Sequence, residues 1–201
     1  MLTKLKSEKP EEPISYSEID IQKIGGIMHL ISKISNGVSR TRLLKLMYLI
    51  DEASVIELGV PVSPIEYKVA KLGPLAQKVW SELQPDNTTF GDLVNVDLKI
   101  TGDSECFLIT PIGNPNLELF SEYETELIET IVKKYKETET DVLINDILHH
   151  EDTLWGKMVK EHNIDFDKLP TRISNYTIDF SSLIKDSEEK LHYYNSYHNT
   201  R

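Results

Sequence analysis

Apolar residues recur at helical spacing near the start of the chain. The spacing predicts a helix over residues 18–34, with its apolar positions at Ile24, Ile27, Met28, Ile31 and Ile34. The pair Gly25-Gly26 weakens this helix by about 1 kcal/mol per glycine relative to alanine. The absence of two side chains would also permit a close crossing by another helix. Asn36-Gly37 predicts the end of the helix.

A second helix, predicted from Ser39 to about Leu58, is apolar over a wide face. Ser39 is a suitable N-cap residue, and Gly59 followed by Pro61 predicts the end. The apolar positions are Leu43, Leu44, Leu46, Met47, Ile50, Val55 and Leu58. A helix that is apolar over so wide a face packs against several neighbours, so we expect it to be the central helix of the fold.

Alternating apolar and polar positions in the middle of the chain predict strands. Residues 65–69 predict a short strand. Gly73-Pro74 predicts the start of a helix that runs to Leu83, because proline is tolerated at the first helical position. Residues 93–100 and 105–110 predict the two strands of a hairpin, joined by a turn over residues 101–104.

Helical signals return in the second half. Ser121 and Glu124 have the spacing of a capping box, which predicts a helix to about Lys136. Further helices are predicted over residues 141–150 and 153–162. Beyond Pro170 the pattern weakens, and an extended segment over 172–180 and a last helix over 180–197 are expected. The aromatic residues of that last helix, from His192 to His198, fit either a half-packed helix or a partner-binding edge.

These elements predict a mainly α protein with a small antiparallel β-sheet (α+β), a compact helical domain around one central apolar helix. Residues 1–13 have almost nothing to bury, so a disordered tail is expected there. No stretch of about 18 apolar residues occurs in the 201-residue chain, and the first residues lack the apolar segment of a signal peptide. We therefore expect no membrane association and a cytoplasmic protein.

The net charge of −11 is unevenly distributed. Residues 1–80 carry eleven basic and nine acidic side chains, whereas residues 81–201 carry eleven basic and twenty-four acidic ones. Binding of a polyanion through the second half would meet strong repulsion. The acidic half is interpreted either as a solvated surface that aids solubility or as a surface that meets a basic partner.

Cys106 is the single cysteine of the chain, which excludes a disulfide-stapled domain and a zinc site built from several thiolates. It lies in an apolar run with Phe107, Leu108 and Ile109, so we expect it to be a small buried apolar side chain rather than a reactive thiol.

Catalytic motifs are sparse in the sequence. No glycine-rich phosphate loop and no G-x-S-x-G nucleophile elbow is present. The best candidate for chemistry is residues 149–152 (HHED), but adjacent residues on a helix point about 100° apart, which disfavours a metal shared by His149 and His150. A histidine at a helix end, favoured by the helix dipole, is the alternative.

Two blocks of sequence carry a resemblance to a known family. The first is residues 39–51 (SRTRLLKLMYLID) with residues 67–74 (YKVAKLGP), and the second is residues 150–155 (HEDTLW). They resemble the Panacea domain, the SocA-like antitoxin family that is also labelled phage-associated GepA-like. The resemblance covers about residues 19–165. This chain departs from the family pattern at Met47, where leucine is commoner, and at Leu72, where an aromatic residue often precedes Gly-Pro.

The resemblance implies a Panacea-like domain over residues 14–165 and a C-terminal extension over 166–201 that packs on or extends it. The family-motif residues are Lys45, Tyr48, Asp51, Tyr67, Gly73, Pro74, His150 and Trp155. Three of them lie at i, i+3 and i+6 on one side of the central helix, and Trp155 is a large apolar anchor. We expect most of these residues to hold the fold together rather than to touch a ligand.

The function implied by the resemblance is that of an antitoxin, which binds and neutralises a toxin encoded beside it. SocA itself acts as a proteolytic adaptor that delivers its toxin to a AAA+ protease. The expected protein has no catalytic residue, cofactor or metal, and a homo-oligomer is left open. Two alternatives remain: a metal-dependent hydrolase that uses His149, His150 and Glu151, and a DNA-binding regulator that uses Arg40, Arg42 and Lys45, although three basic residues are a thin footprint for nucleic acid.

Overall fold

In the computed structural model, which describes residues 16–85, 89–101 and 104–200, helix α2 runs from Arg40 to Leu58 through the centre of the core. The side chain of Ser39 accepts a hydrogen bond from the backbone N–H of Arg42 and caps the helix. Gly59, with φ at 80°, ends it in the left-handed conformation. Every side chain from Leu43 to Asp51 is buried, which confirms the predicted central helix.

Several of the surrounding helices begin and end close to their sequence signals, but the last helix, predicted over residues 180–197, begins only at Glu188. They include α1 (Glu18–Ser35), α3 (Gln77–Glu82), α4 (Glu122–Tyr135), α5 (Thr140–Val142), α6 (Leu154–Glu161) and α7 (Glu188–Asn199). A π-helix covers Leu143–Leu148, and 3-10 helices cover Leu117–Leu119, Phe166–Lys168 and Phe180–Leu183. The predicted capping box of α4 is present, with both reciprocal hydrogen bonds between Ser121 and Glu124. None of the helices described combines the length and the apolar character that crossing a bilayer requires.

The strands form two small antiparallel sheets rather than one. They are β1 (Val38–Ser39), β2 (Lys68–Ala70), β3 (Gly73–Leu75), β4 (Val94–Thr101), β5 (Ser104–Pro111) and β6 (Ile173–Thr177). One sheet has the order β1-β5-β4 and the other the order β3-β2-β6. The predicted hairpin is therefore present as β4 and β5, while residues 102–103 of its turn and the predicted tail over residues 1–13 lie outside the described residues. The predicted α+β class is confirmed.

The Gly73-Pro74 segment corrects one prediction, because it forms strand β3 and not the start of a helix. Ala70 pairs with Gly73 across a tight turn, and Gly73 has φ at 90°, a conformation that favours glycine. Pro74 lacks an N–H to donate, but β3 lies at the edge of its sheet, where that loss is tolerated. Helix α3 begins only at Gln77.

Side chains, rather than another helix, occupy the space that Gly25 and Gly26 leave open on α1. A Cβ atom on Gly25 would lie 2.8 Å from Cδ1 of Leu93, and one on Gly26 would lie 2.9 Å from the ring of Phe120. Leu93 comes directly before β4, and Phe120 comes just before α4. The two glycines therefore allow apolar side chains from both connections to reach the helix backbone.

Cys106 is exposed, which corrects the expectation that it is buried. It lies in the outer half of the β4–β5 hairpin, where Leu98 and Ile100 are also 44% and 66% exposed. Ile109, nearer the base of the hairpin and paired with β1, is completely buried. The hairpin extends past the core, so its apolar residues are covered only near the base.

The last part of the chain packs against the same core. Strand β6 adds to the edge of β2, and Phe180 and Tyr194 are both buried. The Tyr197 hydroxyl donates to the backbone carbonyl of Ser63 at 3.1 Å. Residues 173–197 thus complete one of the two sheets and cover part of α2.

Candidate functional site

Lys45 is a buried cation on the central helix. Its side chain is 3% exposed, and its Nζ donates a hydrogen bond of 2.6 Å to the backbone carbonyl of Pro74. No salt bridge reaches it from the residues that the structure describes. Burial lowers the pKa of this ammonium from 10.5 to about 7. The contact ties α2 to strand β3 and brings two of the predicted motif residues, Lys45 and Pro74, together.

His149 faces Lys45 across Gly73. A Cβ atom on Gly73 would lie 3.3 Å from Nε2 of His149 and 3.5 Å from Nζ of Lys45, so the space is tight, and the positive φ of Gly73 also favours glycine at this meeting point. Nε2 of His149 is buried and has no hydrogen-bond partner among the described residues. Burial, and then the positive charge of Lys45, lower the pKa of the His149 imidazole.

Trp155 anchors the second motif block against this meeting point. Its indole stacks on the ring of His149, with ring centroids 4.0 Å apart. The ring of Phe166 also stacks on Trp155, with centroids 5.8 Å apart. The indole Nε1 donates to the backbone carbonyl of Ala70 at 2.9 Å. Because Ala70 ends strand β2, this bond joins the start of α6 to the sheet that carries Gly73.

His150, the histidine predicted from the family motif, is not the one that stacks on Trp155. Its side chain is 58% exposed, and its Nδ1 lies 3.4 Å from the carboxylate of Asp152. The neighbouring His149 lies at the end of the π-helix, and its backbone N–H bonds to the carbonyl of Ile144, five residues earlier. The predicted helix over residues 141–150 is thus a short α5 followed by a π-helix, and the sequence pattern contains no signal for that change.

Asp51 is the second buried ionisable group of the motif. Its carboxylate accepts hydrogen bonds from the backbone N–H and the hydroxyl of Ser63, at 2.8 and 2.5 Å, and from the Tyr67 hydroxyl at 2.6 Å. Burial raises the pKa of Asp51 to about 6, although these hydrogen bonds oppose the rise. The carboxylate fixes the connection between α2 and β2, and Ser63 is a partner that the motif did not indicate.

Tyr48 and Tyr67 pack together beside Asp51. Their ring centroids lie 5.2 Å apart in an edge-to-face arrangement, and Phe180 lies 5.5 Å from Tyr48. The Tyr48 hydroxyl donates to the carboxylate of Glu52 at 2.8 Å. The two motif tyrosines therefore form an aromatic cluster that includes a residue from beyond the family resemblance.

The basic residues at the start of α2 bind the protein's own backbone. The guanidinium of Arg40 lies between the rings of Trp80 and Phe107 and donates to the carbonyl of Leu83 at 3.0 Å, and burial lowers its pKa to about 10. Arg42 donates to carbonyls at and just beyond the C-terminal end of α4, including that of Lys136 at 3.1 Å. With Lys45 also buried, the three cations of the DNA-binding alternative all serve internal contacts.

The described part of the chain contains no cluster of side chains that fits the metal-dependent alternative. Within residues 16–85, 89–101 and 104–200, no three His, Cys, Asp or Glu side chains come together in a group suited to a metal ion. His149 turns inward to Trp155, while His150 lies at the surface. The two histidines therefore point to different environments, as adjacent residues of a helical segment are expected to do.

The sequence that carries these residues matches a known family. The profile of the family described as antitoxin SocA-like, Panacea domain, covers residues 43–156, which is more than half of the chain. The chain belongs to the SocA-like antitoxin family. The matched range begins within α2 and ends directly after Trp155, so the hydrogen bonds of Lys45, Asp51 and Trp155 described above all lie inside the SocA-like domain. Neither the comparison with curated proteins nor that with solved structures returned a match.

Proposed function

We propose that this SocA-like protein neutralises a toxin encoded beside it by binding that toxin directly. The observation that carries the proposal is the match of an antitoxin family to residues 43–156. Several polar groups of the motif are used within the protein, which supports a structural rather than a catalytic role for them. Lys45 binds a backbone carbonyl, Asp51 accepts three hydrogen bonds, and Trp155 donates to a strand.

We assign the motif the role of a scaffold for the binding surface. Lys45 joins α2 to β3, Asp51 joins α2 to the connection before β2, and Trp155 joins α6 to β2. These contacts join residues that are 29, 12 and 85 positions apart in the sequence. Contact with the toxin then falls to side chains on the outside of these elements.

Two outcomes of binding follow from the resemblance to SocA. An antitoxin that blocks its toxin by occupancy leaves the amount of toxin in the cell unchanged. An adaptor that delivers the toxin to a AAA+ protease shortens the half-life of the toxin. We propose binding as the shared first step of both, and immunoblotting of the toxin after translation is stopped distinguishes them.

Co-expression with the neighbouring gene tests the proposal. The neighbour is induced in a bacterial host alone, with this protein, and with the Asp51→Ala variant, which we expect to be poorly folded because buried donors lose their acceptor. We expect growth arrest by the neighbour alone, growth with the intact protein, and arrest again with the variant. A neighbour that is harmless alone, or that arrests growth despite the intact protein, contradicts the proposal.

A further inference from the structure

An open groove lies on the outer side of the motif elements. Its volume is about 470 Å³, and its apolar floor is formed by Ile56, Ile147, Leu154 and Leu183. These four residues come from α2, the π-helix, α6 and the 3-10 helix at Phe180–Leu183. Ile56 is 48% exposed, so part of the floor is open to water. A groove lined by apolar side chains from four separate elements exists only in the folded protein.

Carboxylates surround this floor. Glu52, Asp146 and Asp152 line the groove, and no lysine or arginine of the described residues lines it with them. The side chain of Asp152 is 82% exposed, and Asp146 is also exposed. His150 lies at the same rim, 3.4 Å from Asp152. We name these residues and the apolar floor together the acidic groove.

The π-helix shapes one wall of the acidic groove. Its buried residues Leu143, Ile144 and Leu148 face the core, which leaves Asp146 and Ile147 toward the groove. A π-helix is a costly departure from α-helical geometry, and such segments occur frequently at functional sites. This local geometry places one carboxylate and one apolar side chain side by side at the surface.

We propose that the acidic groove is the docking site for a segment of the toxin in which an apolar side chain is flanked by lysine or arginine. The apolar side chain fills the floor, and the basic groups meet the rim carboxylates. A second copy of this chain fits less well, because each copy carries a net charge of −11. The proposal rests on the proposed antitoxin function and adds to it the surface and the chemistry of the partner.

A peptide titration tests the groove independently of the toxin. The probe is a short synthetic amphipathic peptide of leucine and lysine, added to the intact protein at about 0.15 M ionic strength. The groove variant is Asp146→Lys with Asp152→Lys. Its matched control is Glu118→Lys with Glu126→Lys, two exposed carboxylates outside the groove that change the net charge equally. Affinity and the methyl NMR signals of the floor residues are measured.

We expect the groove variant to bind the peptide at least about tenfold more weakly, a loss of about 1.4 kcal/mol, and the control to bind as the wild type does. The methyl signals of Ile56, Ile147, Leu154 and Leu183 should shift on binding. Equal weakening in both variants, or shifts elsewhere, overturns the groove assignment. Growth arrest despite the wild-type protein instead overturns the antitoxin function, and the peptide result still decides the groove.

Discussion

The buried ammonium of Lys45 makes the stability of this protein depend on pH between about pH 7 and pH 9, where few other groups titrate. Its pKa is about 7 in the folded protein and 10.5 in the absence of burial. A group whose pKa is lowered by folding contributes its full stability above the unfolded value and loses it as the pH falls through the folded value. Between about pH 9 and pH 7, the folded protein should therefore lose about 2 kcal/mol of its free energy of unfolding.

Other titrating groups change this figure little. Asp51, with a pKa of about 6, and His149, with a pKa below 6.5, titrate below the window. Burial raises the pKa values of Tyr48 and Tyr67, which reduces the gain at pH 9 by only roughly 0.3 kcal/mol even when the other buried tyrosines are included.

Replacement of Lys45 by methionine removes the charge and keeps most of the side-chain volume. Urea denaturation followed by circular dichroism at both pH values gives the free energy of unfolding. We expect the wild type to gain about 2 kcal/mol at the higher pH and Lys45→Met to gain almost none. The control Lys157→Met removes an exposed helical lysine and should keep the wild-type gain.

The comparison between the two pH values matters more than the absolute stability of the variant. Lys45→Met also leaves the carbonyl of Pro74 without its donor, and that loss is the same at both pH values. Two results would contradict this reasoning: a wild type that is equally stable at both pH values, or a Lys45→Met variant that is still more stable at the higher pH. Either result would show that the Lys45 ammonium has a counterion or is open to water.

Three further substitutions test the internal contacts. Asp51→Ala leaves three buried donors without an acceptor and should cost about 3 kcal/mol or more in chemical denaturation; a cost under about 1 kcal/mol would mean that the carboxylate is solvated. Trp155→Phe keeps an aromatic ring but loses the bond to Ala70, so we expect a loss of about 1 to 2 kcal/mol with an unchanged far-ultraviolet spectrum, and no loss would refute the bond. Ser121→Ala removes an N-cap and should cost about 1 kcal/mol, with a lowered Tm as the readout and an unchanged Tm as the contrary result.

The helices could be predicted because their signals are local. Ser39, Ser121 and Thr153 each cap the helix that follows, and capping depends on residues within one turn. The apolar spacing of α1 and α2 likewise reflects contacts that every amphipathic helix makes with a core. These helices can be predicted without knowing which elements pack against one another.

The errors arose where the outcome depends on distant parts of the chain. Gly73-Pro74 has the signal of a helix start, but the pairing with β2 makes it a strand. Cys106 lies in an apolar run, and its exposure follows from how far the hairpin extends past the core. A π-helix determines that His149, and not His150, stacks on Trp155. The sequence contains no recognised pattern for that π-helix.

One part of the candidate site could be predicted from the sequence, and the other part could not. The motif residues were named from the resemblance, and the structure brings Lys45, Gly73 and Trp155 close to one another through His149. The acidic groove could not be predicted, because its residues come from α2, from residues 146–154 and from Leu183. The charge imbalance between the two halves is compatible with a solvated surface or with a basic partner, and only the fold shows where carboxylates surround an apolar floor.

The central claim is that the motif supports the fold while the acidic groove binds the partner. Isothermal titration of the purified neighbouring-gene product into two variants tests it most directly. Trp155→Phe, kept at a temperature at which it is fully folded, should bind with the wild-type Kd. Asp146→Lys with Asp152→Lys should keep the wild-type Tm and bind at least about tenfold more weakly. Weak binding by Trp155→Phe together with wild-type binding by the groove variant would contradict the account.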